Sequence, residues 1–302
     1  MNTRQAIDEL STIKDFVRWG YSQLSGSAVW YGHGTDNPLD ESLTLVLYAL
    51  GLPHDTPRDY FDCKLTLDER TVIVEWIQRR ITERLPAAYL THEAWFAQIP
   101  FYVDERVLVP RSPIAELIEA QFTPWVEPDN VNRVLDMCTG SGCIAIACAY
   151  AFPHAEVDAV DISADALAVA NINIERQELG AQVHAIESDL FTSLDKTPYD
   201  IIVSNPPYVS KEDMDAMPGE YHHEPVLGLA AGDDGLDIAH RILREAPDYL
   251  SDQGILIVEV GNSQEALIEA YPKLPFMWLD FERGGEGVFL LTAEQLKQAS
   301  LP

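Results

Sequence analysis

Asn205-Pro206-Pro207-Tyr208 follows the apolar run Ile201-Ile202-Val203, with Ser204 between them. A strand that meets a Pro-Pro pair ends there, because proline has no N–H for the ladder and restricts the residue before it. The tip of that strand offers an amide at Asn205, stiff carbonyls at Pro206 and Pro207, and an aromatic ring at Tyr208. An amide oxygen and a proline carbonyl can each accept one hydrogen of a planar NH2 group, with the tyrosine ring against its face. That is chemistry for a neutral, planar, poorly nucleophilic nitrogen. The plain alternative is a surface turn, which Asn-Pro-Pro also suits. Asn205, Pro206 and Tyr208 are the candidate catalytic residues, and Pro207 joins them on the substrate side. Arg111 belongs either to that substrate side or to an ion pair between domains.

A second group lies upstream. Asp136-Met137-Cys138-Thr139-Gly140-Ser141-Gly142 ends a short apolar strand and leads into a helix. Its glycines let the backbone approach a ligand closely, and the helix contributes its N-terminus. The spacing is neither the G-x-G-x-x-G of a dinucleotide site nor the Gly-Lys-Ser/Thr of a triphosphate site. A lysine-free loop facing Asp136 suits a cationic adenosyl ligand better than phosphates. Asp161, followed by Ile162, closes the next strand and can accept from a ribose diol. Asp189-Leu190 closes the third, where Asp189 can accept from the adenine amine. The candidate cofactor contacts are therefore Asp136, Cys138, Thr139, Gly140, Ser141, Gly142, Asp161, Ile162, Asp189, Leu190 and Asn205.

The elements that must position these residues alternate strand and helix from residue 131 onward. Strands are expected at 134–137, 157–160, 183–187, 199–204 and 255–260, with an edge hairpin at 276–281 and 288–292. Helices are expected at 143–152, from the N-cap Ser163 to Gly180, and at 238–250 with Pro247 near the end. Such βα alternation implies a doubly wound parallel sheet with ligands at the C-terminal strand ends. Residues 1–92 read instead as a helical domain, with helices over 5–20 (Gly20 as its stop), 40–50 and 66–84, the last with Val72, Val74, Trp76, Ile77 and Ile81 as its apolar positions. Between the first two lies the loop Trp30 to Pro38, taken as structural or partner-binding because His33 has no second ligand at metal spacing. Residues 93–130 form a hairpin and a linker helix.

The chain has 302 residues and is 47% hydrophobic and 23% charged, a globular composition. No run is long and apolar enough for a membrane span or a signal core, and four cysteines make no secreted disulfide framework, so the cytoplasm is the expected location. Its net charge is −29, from 20 basic and 49 acidic residues. That field repels a nucleic-acid backbone and suits either a basic protein partner or simple solubility and salt adaptation. Direct DNA binding is not expected. Cys138, Cys143 and Cys148 recur every five residues, but the last two face different sides of a helix, so small packing residues are expected rather than a metal site. His222-His223-Glu224 is read as a loop over the substrate side, since adjacent residues rarely aim at one ion.

Taken together, Asp136 through Gly142, Asp161 and Asn205-Pro206-Pro207-Tyr208 resemble the class I (Rossmann-like) S-adenosylmethionine-dependent methyltransferases, and in particular those that methylate planar amide or amino nitrogens. Pro86-x-x-Tyr89-Leu90, Val109-Pro110-Arg111, and Glu224-Pro225 through Gly232-Asp233-Asp234-Gly235-Leu236 narrow the resemblance to the HemK-type protein-glutamine methyltransferases. These pair a helical N-terminal domain, here 1–92, with a catalytic domain built on a seven-stranded sheet, here 131–302. Release-factor enzymes of that family follow their Pro-Arg with Pro-x-Thr-Glu. This chain has Ser112-Pro113-Ile114-Ala115-Glu116 and, with Trp30 to Pro38, resembles the branch acting on the third large-subunit ribosomal protein. The resemblance implies S-adenosylmethionine as cofactor, S-adenosylhomocysteine as product, no metal, and a basic ribosomal protein as partner, free or in an assembly intermediate. Three other readings stay open: glutamine methylation of peptide chain release factors; adenine amino methylation, which uses the same tip chemistry but calls for a basic channel; and a binding module with a vestigial cofactor fold.

Overall fold

Five helices make up most of the first 91 residues: α1 (Thr3–Glu9), α2 (Ile13–Ser25), α3 (Pro38–Ala49), α4 (Leu67–Thr82) and α5 (Ala87–Thr91). The computed structural model describes residues 2–299, and its packing separates two compact units. Residues 2–94 with 218–223 form a helical unit; residues 95–217 with 224–299 form an α/β unit.

The helix expected over 5–20 is two helices. Thr12 accepts the Asp15 N–H at 3.2 Å while Asp15 accepts the Thr12 N–H at 3.0 Å. This reciprocal cap satisfies orphan donors and starts α2 afresh. Gly20 does not stop that helix but lies inside it, where a Cβ would stand 2.8 Å from Ile77 Cδ1 of α4 and run into Ser42 Oγ of α3. Three helices converge there. Along α4 the core position is Ile73 rather than the exposed Val72, with Val74 and Ile77 beside it and Trp76 half-buried.

Arg80 of α4 is wholly buried. It donates from Nε to Glu41 (2.7 Å), from Nη1 to Glu220 (3.0 Å) and from Nη2 to the Trp30 carbonyl (2.7 Å). Glu220 also accepts from Arg84 (2.9 Å) and from the Trp30 N–H (2.8 Å). Unpaired, such charges would cost several kcal/mol each; paired and hydrogen-bonded they fix one arrangement. They anchor the Trp30–Pro38 loop, whose His33 is buried with its ring 4.5 Å from that of Tyr221. They also seat 218–223, a stretch from the middle of the second half of the sequence, within the helical unit.

The α/β unit begins within a hairpin of β1 (Ala94–Phe96) and β2 (Ile99–Phe101) and continues through α6 (Ile114–Glu119). The hairpin turns on Ala97 and Gln98, both at positive φ. Then come β3 (Arg133–Met137), α7 (Cys143–Ala151), β4 (Glu156–Asp161), α8 (Ala164–Arg176), β5 (Val183–Glu187), β6 (Tyr199–Ser204), α9 (Lys211–Ala216), α10 (Asp237–Glu245), β7 (Leu250–Glu259), α11 (Gln264–Ala270), β8 (Met277–Trp278), β9 (Val288–Thr292) and α12 (Ala293–Gln298). The sheet order is β5-β4-β3-β6-β7-β9-β8, parallel from β5 to β7 and antiparallel at β9 and β8. Seven strands in this order are the α/β class I fold. Side chains alternate between two apolar layers: Val134, Val157, Ile201 and Ile257 pack with α6 and α7, while Leu135, Val160, Ile202 and Leu256 pack with α10 and α11. Strands buried on both faces read as continuous apolar runs for this reason.

Two helices end earlier than expected. α8 stops at Arg176 rather than Gly180, and α10 stops at Glu245, leaving Pro247 in a 3₁₀ turn before β7. A proline inside the last turn would remove an i→i−4 hydrogen bond, so the helix closes before it.

Candidate active site

Strand order switches direction at β3, between β4 and β6, and there the chemistry-bearing residues gather. In register, Met137 lies beside Val160 on one side and Ser204 on the other. The loop after β3, Asp161 at the end of β4 and Asn205 just past β6 thus leave the sheet from neighbouring positions.

The loop is built around Asp136, whose side chain is wholly buried. Its Oδ2 accepts from Thr139 Oγ1 (2.5 Å) and the Ala145 N–H (3.0 Å), while Oδ1 has no hydrogen-bond partner among the described residues. Burial lifts this carboxyl to about 7, against the pull of those two donors and with a further push from Asp161. Cys138, Gly140 and Gly142 all sit in the left-handed region, at φ 62°, 55° and 79°. At Gly142 a Cβ would stand 3.2 Å from that of Ala170 in α8, whereas at Gly140 it would project into open space. The Thr139 N–H donates to Val160 O (2.9 Å), and the Ser141 carbonyl accepts from Asn173 (2.8 Å), so the loop is fixed on both sides.

Asp161 accepts the N–H of Gly140 (2.9 Å) and of Ser163 (2.9 Å), and burial raises its carboxyl above the usual range. Each of its oxygens retains a lone pair for a hydroxyl. Ile162 beside it is half-exposed, an apolar face for a planar ring. Leu190 is buried at φ 50°, and the exposed Asp189 holds Arg241 Nη1 at 2.7 Å. One bare buried carboxylate oxygen, an open cradle at Gly140 and a diol acceptor fit a cationic adenosyl group.

The second half of the site is the tip of β6. Ser204 donates from Oγ to Met137 O at 2.6 Å, tying the ends of β6 and β3 together. Beyond it Asn205 is half-buried, and among the described residues neither its side-chain amide nor the Pro206 carbonyl has a hydrogen-bond partner. Tyr208 is held much more firmly. Its hydroxyl donates to Glu259 (3.0 Å) and its carbonyl accepts from Ser263 (3.0 Å). A Cβ at Gly261 would stand 2.6 Å from the Tyr208 ring. The chain then turns back on itself, with the Val209 N–H donating to Leu229 O (2.8 Å) and the Ala231 N–H to Val209 O (3.0 Å).

Arg111 is committed to Glu224, through Nη1 at 2.6 Å and Nη2 at 2.8 Å. Both residues belong to the α/β unit, so this ion pair lies within that unit. Glu224 is buried by it, whereas His222 is exposed and His223 shares a hydrogen with Glu83 O at 2.8 Å. The three neighbours thus face separate surroundings. Burial pushes Cys143 up to about 12 and raises Cys138 and Cys148 well above the usual thiol range, so none is a thiolate nucleophile. Among the described residues no three His, Cys, Asp or Glu side chains are grouped to hold a metal ion. Glu259, Gly261 and Ser263 carry no motif. The available signal was positional: Glu259 ends β7, the strand beside β6.

The fold is that of the class I S-adenosylmethionine-dependent methyltransferases, and residues 122–220 match the family model described as Methyltransferase small domain. The catalytic domain of hMettl16, solved in complex with the MAT2A 3'UTR hairpin 6, shares the fold, with a TM-score of 0.50 at 17% identity over 78% of this chain and 84% of that one. The chain is 51% identical over 291 residues to the ribosomal protein uL3 glutamine methyltransferase of Francisella tularensis subsp. tularensis, covering 96% of this chain and 93% of that protein. It is 51% identical over 294 residues to the protein of the same name from Xanthomonas campestris pv. campestris, covering 97% and 95%. The chain belongs to the ribosomal protein uL3 glutamine methyltransferase family.

Proposed function

We propose that this chain moves a methyl group from S-adenosylmethionine to the side-chain amide nitrogen of a glutamine in uL3, the third large-subunit ribosomal protein, leaving S-adenosylhomocysteine. The observation that carries this reading is the pair of adjacent unpartnered acceptors, Asn205 Oδ1 and the Pro206 carbonyl, beside the glycine loop. When bound, S-adenosylmethionine supplies a methyl group activated by its sulfonium. Asp136 and the loop Cys138–Gly142 hold the charged end, Asp161 the ribose hydroxyls, and Ile162 and Leu190 the ring, with Asp189 at its amine.

An amide nitrogen is a poor nucleophile because its lone pair is shared with the carbonyl. Asn205 Oδ1 and Pro206 O each accept one of its hydrogens, which fixes the nitrogen and favours a localised lone pair pointing out of the amide plane. Tyr208 supports the face of the amide. Neither acceptor is a base at neutral pH, so the residues contribute positioning and polarisation; as the N–CH3 bond forms and the S–CH3 bond breaks, the nitrogen becomes strongly acidic and its surplus proton passes to water. The helical unit is proposed to recognise the protein substrate, and the cytoplasm, where ribosomal proteins are made, to be the site of action. The acidic charge favours a basic protein over a nucleic acid as partner.

Replacing Asn205 by Ala tests the assignment. The variant is expected to keep its affinity for S-adenosylmethionine and to lose about 10²- to 10³-fold in kcat on uL3, the usual effect of deleting one preorganised polar group. Full turnover in Asn205→Ala would sink the proposed role.

A further inference from the structure

We propose that Glu259 is a positioning residue for this transfer: one carboxylate oxygen fixes the Tyr208 ring, while Ser112 fixes the other. The proposal rests on the reading of Asn205 to Tyr208 as the acceptor tip.

Glu259 is the last residue of β7, one strand over from β6, and is only 5% exposed. Its Oε1 accepts from Tyr208 (3.0 Å) and its Oε2 from Ser112 (2.5 Å). Ser112 Oγ in turn accepts the Ile114 N–H at 3.2 Å, at the start of α6. The preceding residues are equally fixed, since Glu224 takes both the Arg111 guanidinium and the Val109 N–H (3.0 Å). Burial raises the Glu259 carboxyl, and the two hydroxyl donors and Arg111 oppose it.

A buried carboxylate is costly to place in a fold, and stability alone would be served as well by an apolar residue. What the carboxylate adds is a second acceptor oxygen, so that two separate segments, 109–112 and the tip after β6, meet on one group. Gly261 leaves space under the ring, and Gly287 packs on Gly261 in turn, where a Cβ would stand 2.6 Å from its Cα. The ring is thus held at its hydroxyl, its face and its carbonyl.

The test compares Glu259→Gln, Ser112→Ala, Tyr208→Phe and the Glu259→Gln/Tyr208→Phe double variant. A glutamine keeps the shape but offers one acceptor oxygen for two donors. Glu259→Gln is expected to lower kcat by about 10-fold, as loss of a hydrogen bond to a charged group does, with KM for S-adenosylmethionine unchanged. Ser112→Ala should lose less, and the double variant should be no slower than Tyr208→Phe alone, because both changes cut the same link. A fluorotyrosine placed at 208 and followed by fluorine NMR should hold one ring orientation in the parent and exchange in Glu259→Gln. That arm needs no protein substrate, so it stands even where the parent fails to methylate uL3, the outcome that would overturn the functional reading instead. The positioning role is overturned by an unchanged kcat in Glu259→Gln, by losses that multiply in the double variant, by an unmoved ring signal, or by kcat and melting temperature falling while cofactor KM rises.

Discussion

Asp136 shows how one residue joins electrostatics to binding. Its buried carboxyl titrates near 7 with one oxygen bare. Because the folded-state value is raised above the ordinary range, ionisation costs the cofactor-free protein stability as pH rises through about 7. A cationic ligand favours the ionised form, so binding below that pH must expel a proton. Affinity for S-adenosylmethionine should therefore rise by up to about tenfold per pH unit below the titration and level off above it. Calorimetry from mildly acid to mildly basic buffers checks this, and Asp136→Asn should bind weakly with a flat profile. At this scale the sequence was most informative about placement: Asp136, Gly140, Asp161 and Asn205 lie at or just beyond the ends of β3, β4 and β6, as their motifs suggested. Glu259 was hidden because its role depends on which strand lies beside β6, and on Ser112, which is 147 residues away.

The elements explain where reading by pattern went astray. Gly20 looked like a stop because glycine is a poor helix former; only the crossing with α3 and α4 shows why it is needed. Two effects compete in Gly20→Ala. Helix propensity favours alanine by about 1 kcal/mol. Overpacking against Ile77 and Ser42 costs about 1–3 kcal/mol, so the variant should be destabilised, as chemical denaturation would show. The split of the first helix was legible after all in Thr12-x-x-Asp15, a capping box overlooked inside an apolar periodicity. Arg80 was not, since a charged residue on a helical stripe announces no burial. Its partner Glu220 is drawn down to about 2: burial opposes ionisation, but hydrogen bonds from Arg84, the Trp30 N–H and Arg80 outweigh it. Because the folded value is depressed, this pairing stabilises fully above the ordinary glutamate range of about 4.3 and is lost as pH falls toward 2. Glu220→Gln should cost the helical unit about 3–5 kcal/mol at neutral pH and flatten that acid limb, read by hydrogen exchange in α4.

Over the whole molecule, two units with separate cores share one chain, and the stretch 218–223 of the later sequence is built into the helical one. Periodicity marked the helical and βα halves, because each has its own repeat. It did not mark this exchange, which depends on pairings between residues far apart in sequence, such as Arg80 with Glu220. The net charge of −29 also acts at this scale. Attraction of a basic substrate should make kcat/KM on uL3 fall by about tenfold or more as salt rises past physiological strength, with kcat nearly constant, in a steady-state salt series. Duplex DNA should not compete. The most direct test of the account is one assay with methyl-labelled S-adenosylmethionine, offering unmodified uL3, a release factor and DNA side by side, with peptide mass spectrometry locating the label. Label on a glutamine amide of uL3 is the predicted result; label confined to the release factor or to adenine would contradict it.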